Sequence, residues 1–285
     1  MKHIAGLMAL AALAAGAPAQ AHCSADHHAM DAADTALLQA ILADERRAED
    51  RARDRYRNPA ETLAFFRVEP GLTVAEYAPG GGWYTKVLLP YLAEDGAYVA
   101  LNGDTDTMSF RDDEQEQQAR GWAAGFPARA AEMTGVGADR VRAFESDEVP
   151  EELAGEVDRV LIFRSIHGLL NGNRADGELR NIRAMLADDG MVGVVQHRAR
   201  ADAPYAASSG ARGYLREQDV VSLFELHGFE LVDRSEVNAN PNDPADWEGG
   251  VWTLPPVLRY GEEDRDRYLG IGESDRMTLL FRKRS

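Results

Sequence analysis

Short apolar runs alternate with stretches of helical period from residue 73 onward, and this predicts strands and helices taking turns along the chain. Thr73-Val74-Ala75-Glu76-Tyr77 reads as a first strand, Tyr84 to Leu92 as a helix, and Ala97 to Leu101 as a second strand. A polar helix is expected over Ser109 to Arg129, a third strand over Val141 to Phe144, and a fourth over Asp158 to Phe163. The fourth is an unbroken apolar run, as suits a strand covered on both faces. Helix Leu179 to Leu186, turn Asp189-Gly190, strand Met191 to Val195 and helix Glu217 to His227 follow, the last closed by Gly228. Two late strands, Phe229 to Asp233 and Met277 to Phe281, flank a long loop rich in Asn, Pro, Asp and Trp. The alternation implies a doubly wound, mostly parallel α/β sheet. The late strands lack a long intervening helix, which favours an antiparallel pair at one edge.

Ahead of the sheet the pattern is helical. Leu37, Leu38, Ile41 and Leu42 mark an apolar stripe, Asp44 to Arg57 is charged with interleaved signs, and Asn58-Pro59 ends that stretch. A short helix over Ala60 to Phe66 completes a preface to a single domain spanning residues 35–285. The first residues read as a secretory leader. Lys2 gives the positive end, Ile4 to Ala15 the apolar stretch, and Ala19-Gln20-Ala21 the small residues before a cut. Residues 1–21 are thus expected to be a signal peptide, and the mature chain to be exported, periplasmic or secreted. Residues 22–34 are expected to be a disordered tail carrying His22, Cys23, His27 and His28. Imidazole and thiolate are good metal ligands, but no metal site is assigned there. One cysteine allows no intrachain disulfide.

Composition narrows the partners. The 285 residues carry a formal charge of -17, with mean hydropathy -0.39. So acidic a surface repels phosphate backbones, which argues against nucleic acid, and no apolar run in the mature chain suits a membrane span. Small molecules or a protein surface stay open as partners.

The most informative segment is Glu76-Tyr77-Ala78-Pro79-Gly80-Gly81-Gly82, between a strand and a helix. Ligands of doubly wound sheets lie over the strand ends, where glycine lets the backbone come close. A dinucleotide fingerprint asks for glycine at 80, 82 and 85, but Thr85 stands at the third place, and no Gly-Lys-Ser/Thr of a P-loop follows. An acid followed by a Gly-rich bend instead resembles the first motif of the class I S-adenosylmethionine-dependent methyltransferases. The runs RDRYRNPAETLAFFRVEPGLTVAEYAPGGGWYTKVLLPYL, DRVLIFRSIHGLL and GESDRMTLLFRK are similar to exported bacterial proteins of that class. The resemblance implies a seven-stranded sheet with an antiparallel last strand and S-adenosylmethionine as cofactor. It places Glu76 near the methionine amino group and Ala78 to Gly82 along the methionine backbone. Ala78 stands where a glycine is common, tolerable if its φ stays negative. At the end of the second strand, where an acid usually meets the ribose, this chain has Asn102, with Asp104 as a substitute. Asp147 falls where an adenine contact is expected.

Chemistry-bearing residues cluster at two further strand ends. Phe163-Arg164-Ser165-Ile166-His167 and Gln196-His197-Arg198 open onto the same rim as the Gly-rich turn. Histidine is the side chain suited to take a proton near neutral pH, so His167 and His197 are the catalytic candidates. Arg164 and Arg198 are candidate anion clamps, Arg164 toward the cofactor and Arg198 toward the substrate. Trp83, Tyr84, Tyr214, Trp247 and Trp252 are candidates to line an aromatic pocket, and the loop Asn238 to Pro256 is long enough to fold over it. The sequence therefore points to a methyltransferase acting on a small molecule. A non-catalytic exported binding protein of the same fold stays open, because Asn102 weakens the ribose end. A nicotinamide oxidoreductase is disfavoured by Thr85.

Overall fold

The apolar runs assemble into one seven-stranded sheet. A computed structural model describes residues 30–284; the leader and His22, Cys23, His27 and His28 lie outside them. The strands are β1 Thr73–Tyr77, β2 Ala97–Asn102, β3 Val141–Glu145, β4 Val157–Phe163, β5 Leu186–His197, β6 Phe229–Ser235 and β7 Arg276–Lys283. Their order is β3-β2-β1-β4-β5-β7-β6. β1 to β5 run parallel, and β7 runs antiparallel to both β5 and β6. The order reverses between β1 and β4, so the carboxyl ends of those strands border the crevice where such folds bind ligands.

Side-chain alternation along each strand divides the core into two layers. Ala75, Tyr77, Val160, Ile162 and Val194 face helices Ile166–Asn171, Ala175–Met185 and Glu217–Leu226. Val74, Tyr98, Ala100, Leu161, Phe163 and Val195 face helices Thr85–Leu92 and Trp122–Thr134 and the N-terminal preface. Leu38, Leu63 and Phe66 of the preface are fully buried in this second layer. Phe66 sits on Gly193 of β5, where a Cβ would lie 2.6 Å from its ring. A glycine is therefore needed inside that strand, and the preface is part of the core.

Several boundaries differ from the sequence pattern, four of them in ways that change the packing. The first helix spans Ala32–Leu42, entering the stretch expected to be tail. Asp44 to Arg57 forms two 3₁₀ turns and the short helix Asp54–Arg57, burying Arg47 and Arg57. The polar helix is two helices, Asp113–Arg120 and Trp122–Thr134, joined at Gly121. β5 begins at Leu186, with a register shift before Met191 where a separate turn was expected. No helix among the described residues is long and apolar enough to cross a membrane.

Candidate functional site

Two neighbouring strands end in the same unusual way. After β1 the chain turns through Ala78 with φ 50°, and after β4 through Arg164 with φ 57°. In each case the amide still donates to the next strand, Ala78 N to Leu101 O at 2.7 Å and Arg164 N to Val195 O at 2.7 Å. The expected negative φ at Ala78 is thus corrected. Left-handed backbone costs a residue with a Cβ about 1–2 kcal/mol, and such strain gathers at functional sites. Beyond Pro79, Gly80 and Gly81 are exposed. A Cβ at Gly81 would meet nothing within 4 Å, and one at Gly80 only the Ala78 carbonyl oxygen at 3.9 Å. Gly82, with φ 77°, instead turns inward onto Met133, whose sulfur would lie 2.7 Å from a Cβ. No side chain plugs the bend.

Below it, Tyr77, Ala78, Asn102, Gly103, Arg164, Ser165 and His167 surround a cleft of about 290 Å³, with Met108 and Arg174 completing the wall. Asn102 stands where the ribose acid was sought. Asp104 does not replace it: its Oδ1 accepts from Asp106 N at 2.8 Å, capping a 3₁₀ turn. Asp147 is exposed and outside the cleft wall, grouped with Asp104 and Glu145. Arg174 and the buried Glu178 were not anticipated. Glu178 Oε1 accepts from Asp104 N at 3.0 Å and lies 3.6 Å from Arg174 Nη1, while Glu178 Oε2 and Arg174 Nη1 have no hydrogen-bond partner. Their i,i+4 spacing on a helix was the available signal.

Glu76 belongs to the other face of β1. It points the same way as Val74, so it meets Tyr98 of β2 and Thr85 of the overlying helix. Its Oε2 accepts from Tyr98 Oη at 2.7 Å and from Thr85 Oγ1 at 2.8 Å. Thr85, which broke the dinucleotide fingerprint, is thereby explained as the partner of this acid. Burial pushes the carboxyl up to about 7, against the pull of the two hydrogen bonds. The folded state therefore holds a proton that the unfolded chain releases near pH ~4.3, and stability falls as pH rises from there to about 7. Glu76→Gln removes that slope. Its stability relative to wild type is expected to rise by about 2–3 kcal/mol between pH 5 and pH 8 in urea denaturation; an unchanged difference refutes the assignment.

The two histidines meet at the rim, with ring centroids 5.7 Å apart. His167 lines the cleft, with the Gln196 amide 3.3–3.4 Å from Nδ1. His197 stands behind it, with Nδ1 2.6 Å from Ser274 Oγ. Burial lowers both pKa values, and the positive charge of Arg164 lowers both further, so the neutral form of each ring is favoured at neutral pH. Trp252 comes within 6.1 Å of the His167 ring, so the long loop does reach the site.

Several expected substrate contacts are corrected. Trp83 and Tyr84 are buried in the preface layer, Tyr84 stacked on Phe163 at 3.5 Å. Tyr214 is fully buried and donates to Asp243 Oδ2 at 2.9 Å, and Trp247 Nε1 donates to Asp243 Oδ1 at 2.9 Å. Arg198 is spent on Asp275 and Glu236, at 2.7–3.1 Å. Arg164 is the opposite case. It makes no hydrogen bond or ion pair through its guanidinium among the described residues, although it lines the cleft.

No protein-family model matches the sequence, and no curated protein matches it significantly. Solved structures do. A geranyl diphosphate methyltransferase in complex with SAM is similar over 86% of this chain and 94% of its own, with 15% identity and TM-score 0.52. A SAM-dependent methyltransferase from Aquifex aeolicus is similar over 70% and 93%, with 16% identity and TM-score 0.47. A Burkholderia thailandensis 1,6-didemethyltoxoflavin-N1-methyltransferase, with S-adenosylhomocysteine bound, is similar over 90% and 92%, with 15% identity and TM-score 0.47. At this identity the likeness is one of fold: the sheet is that of the class I methyltransferases.

Proposed function

We propose that this protein is an S-adenosylmethionine-dependent methyltransferase acting on a small molecule. The observation that carries the reading is the open bend at Gly80 and Gly81, set beside a cleft at the point where the strand order reverses. The residues present fit the cofactor. A Cβ at residue 81 would project into free space that a ligand can fill, Asn102 offers an amide to a ribose hydroxyl, and Arg174 Nη1 has hydrogen-bonding capacity unspent. The fold likeness to a methyltransferase in complex with SAM supports the same cofactor.

Bound there, S-adenosylmethionine supplies an electrophilic methyl group for in-line transfer. The chain's part is to orient and to move one proton. Arg164 and His167 belong to the wall of the cleft beside the bend, and the neutral His167 ring can accept the proton that an acceptor loses on methylation. The strained turns at Ala78 and Arg164 fix these groups, which favours transfer by positioning.

Calorimetric titration with S-adenosylhomocysteine is the direct test, with micromolar binding expected. No heat and no thermal shift at millimolar ligand would remove the reading. One feature favours a binding protein without turnover: Asn102 at the place of a ribose-binding carboxylate. Binding without methyl consumption across a broad acceptor panel would select it. We further propose that the chain is exported after loss of residues 1–21. N-terminal sequencing of the mature protein, showing His22 first, tests this.

A further inference from the structure

The preface and the approach to β7 bring three guanidinium groups together around one carboxylate, and a fourth lies nearby after β4. Glu273 Oε1 accepts from Arg53 Nε at 2.6 Å, and Oε2 pairs with Arg57 Nε at 3.2 Å and Arg276 Nη1 at 3.1 Å. Arg276 is further held by the carbonyls of Tyr56 at 2.7 Å and Ser274 at 3.2 Å. Arg164, on the cleft wall, is the fourth. Its charge acts on Arg57, on Arg276 and on both histidines. Both oxygens of Glu273 are occupied by the other three, so its carboxylate acts on Arg164 only at a distance, and Arg164 makes no hydrogen bond or ion pair of its own among the described residues. Arg57 Nη1 is buried without a partner, and so is Nε1 of Trp83, whose ring lies 4.6 Å from the Arg57 guanidinium carbon.

In a chain of net charge -17, acids to neutralise these cations were plentiful. Glu76, which also feels Arg164, has its carboxyl pushed up to about 7 by burial and so offers the cations little counter-charge at neutral pH. Burial pushes Arg57 down to about 9 and Arg164 down to about 10, so both stay charged at neutral pH. Three cations share the single Glu273 carboxylate and the half-buried Arg164 has no ion pair, so positive charge is in excess here; an oxyanion accepting from a guanidinium fork offsets that excess.

We propose that Arg164, on the cleft wall, forms a binding site for the acid group, carboxylate or phosphate, of a small anionic molecule entering beside the cofactor, with the buried Arg57 adding positive charge behind it. That this molecule is the methyl acceptor rests on the methyltransferase reading; that an oxyanion binds does not. Arg164 is three residues from His167, so an acid group held there leaves the rest of the molecule beside the candidate base.

Inorganic phosphate is the probe, titrated calorimetrically into the full mature chain with and without saturating S-adenosylhomocysteine. Millimolar binding is expected in both states, weakened at least tenfold by Arg164→Met and less by Arg57→Met, with melting curves confirming that each variant folds. Arg164→Met removes a group with no protein partner, so it keeps the test valid if Arg57→Met does not fold. Absence of phosphate binding, or wild-type affinity in Arg164→Met, overturns the proposal. Mutual exclusion of phosphate and S-adenosylhomocysteine also overturns it, because the guanidinium groups then serve the cofactor's own carboxylate. Arg164-dependent phosphate binding without any S-adenosylhomocysteine binding keeps the anion site and removes the methyltransferase reading.

Discussion

Glu273→Gln is expected to cost the folded protein about 3–5 kcal/mol at pH 7, measured by urea denaturation. Glu273 is 4% exposed, and Arg57 and Arg276 are 3% and 2% exposed, so water screens little of what remains when the charge is removed. Burial alone would push the Glu273 carboxyl up, but Arg276, Arg57 and Arg53 together hold it below the usual carboxylate range. Its contribution is therefore complete above pH ~4.3 and is lost as pH falls through the lowered value. The variant should consequently be weakest relative to wild type at neutral pH. A second measurement separates repulsion from lost packing. In the Glu273→Gln background, Arg164→Met removes one of four uncompensated cations, so it should stabilise, and tens of millimolar phosphate should recover part of the loss. A cost below about 1 kcal/mol would mean that solvent already reaches the cluster.

Arg164 was read from the sequence as an anion clamp, but its convergence with Arg53, Arg57, Glu273 and Arg276 was not legible, and the reason is separation along the chain. Arg53 and Arg57 lie 220 and 216 residues from Glu273 and sit in a stretch whose mixed signs look like a solvated surface. No periodicity marks the two that turn inward. The sheet, by contrast, was legible because each strand carries its own evidence. β1 was read as Thr73–Tyr77, the observed span, since its apolar run is bounded by Pro70-Gly71 and the Gly-rich bend. His167 and His197 could be brought together because adjacent parallel strands end on one rim. Arg198 could have been set aside on the same physics. Successive strand residues point to opposite faces, so when His197 turns toward the site its neighbour turns away, here onto Asp275 and Glu236. Glu76 obeys the same rule: pointing with Val74, it is directed toward the layer beneath the helix. Trp83 and Tyr84 follow the glycines directly, yet the inward turn at Gly82 carries them into the preface layer.

That turn makes adjacent glycines respond in opposite ways. Gly81→Asp places a carboxylate in open space, at a residue without positive φ, so stability should stay within about 0.5 kcal/mol of wild type. The same carboxylate would occupy the free space at residue 81 that the cofactor's methionine part is proposed to fill. Steric exclusion and like-charge repulsion together should weaken S-adenosylhomocysteine binding on the order of a thousandfold, ~4 kcal/mol. Gly82→Ala inverts the pattern. A Cβ there meets the Met133 side chain at 2.7 Å on a backbone of φ 77°, so folding should lose about 1–3 kcal/mol while the surviving folded protein binds nearly as wild type. Calorimetry paired with denaturation reads both variants. Equal losses of binding in the two would mean that the bend acts only by holding the strand end in place. Undiminished affinity in Gly81→Asp would mean that no ligand comes near residue 81.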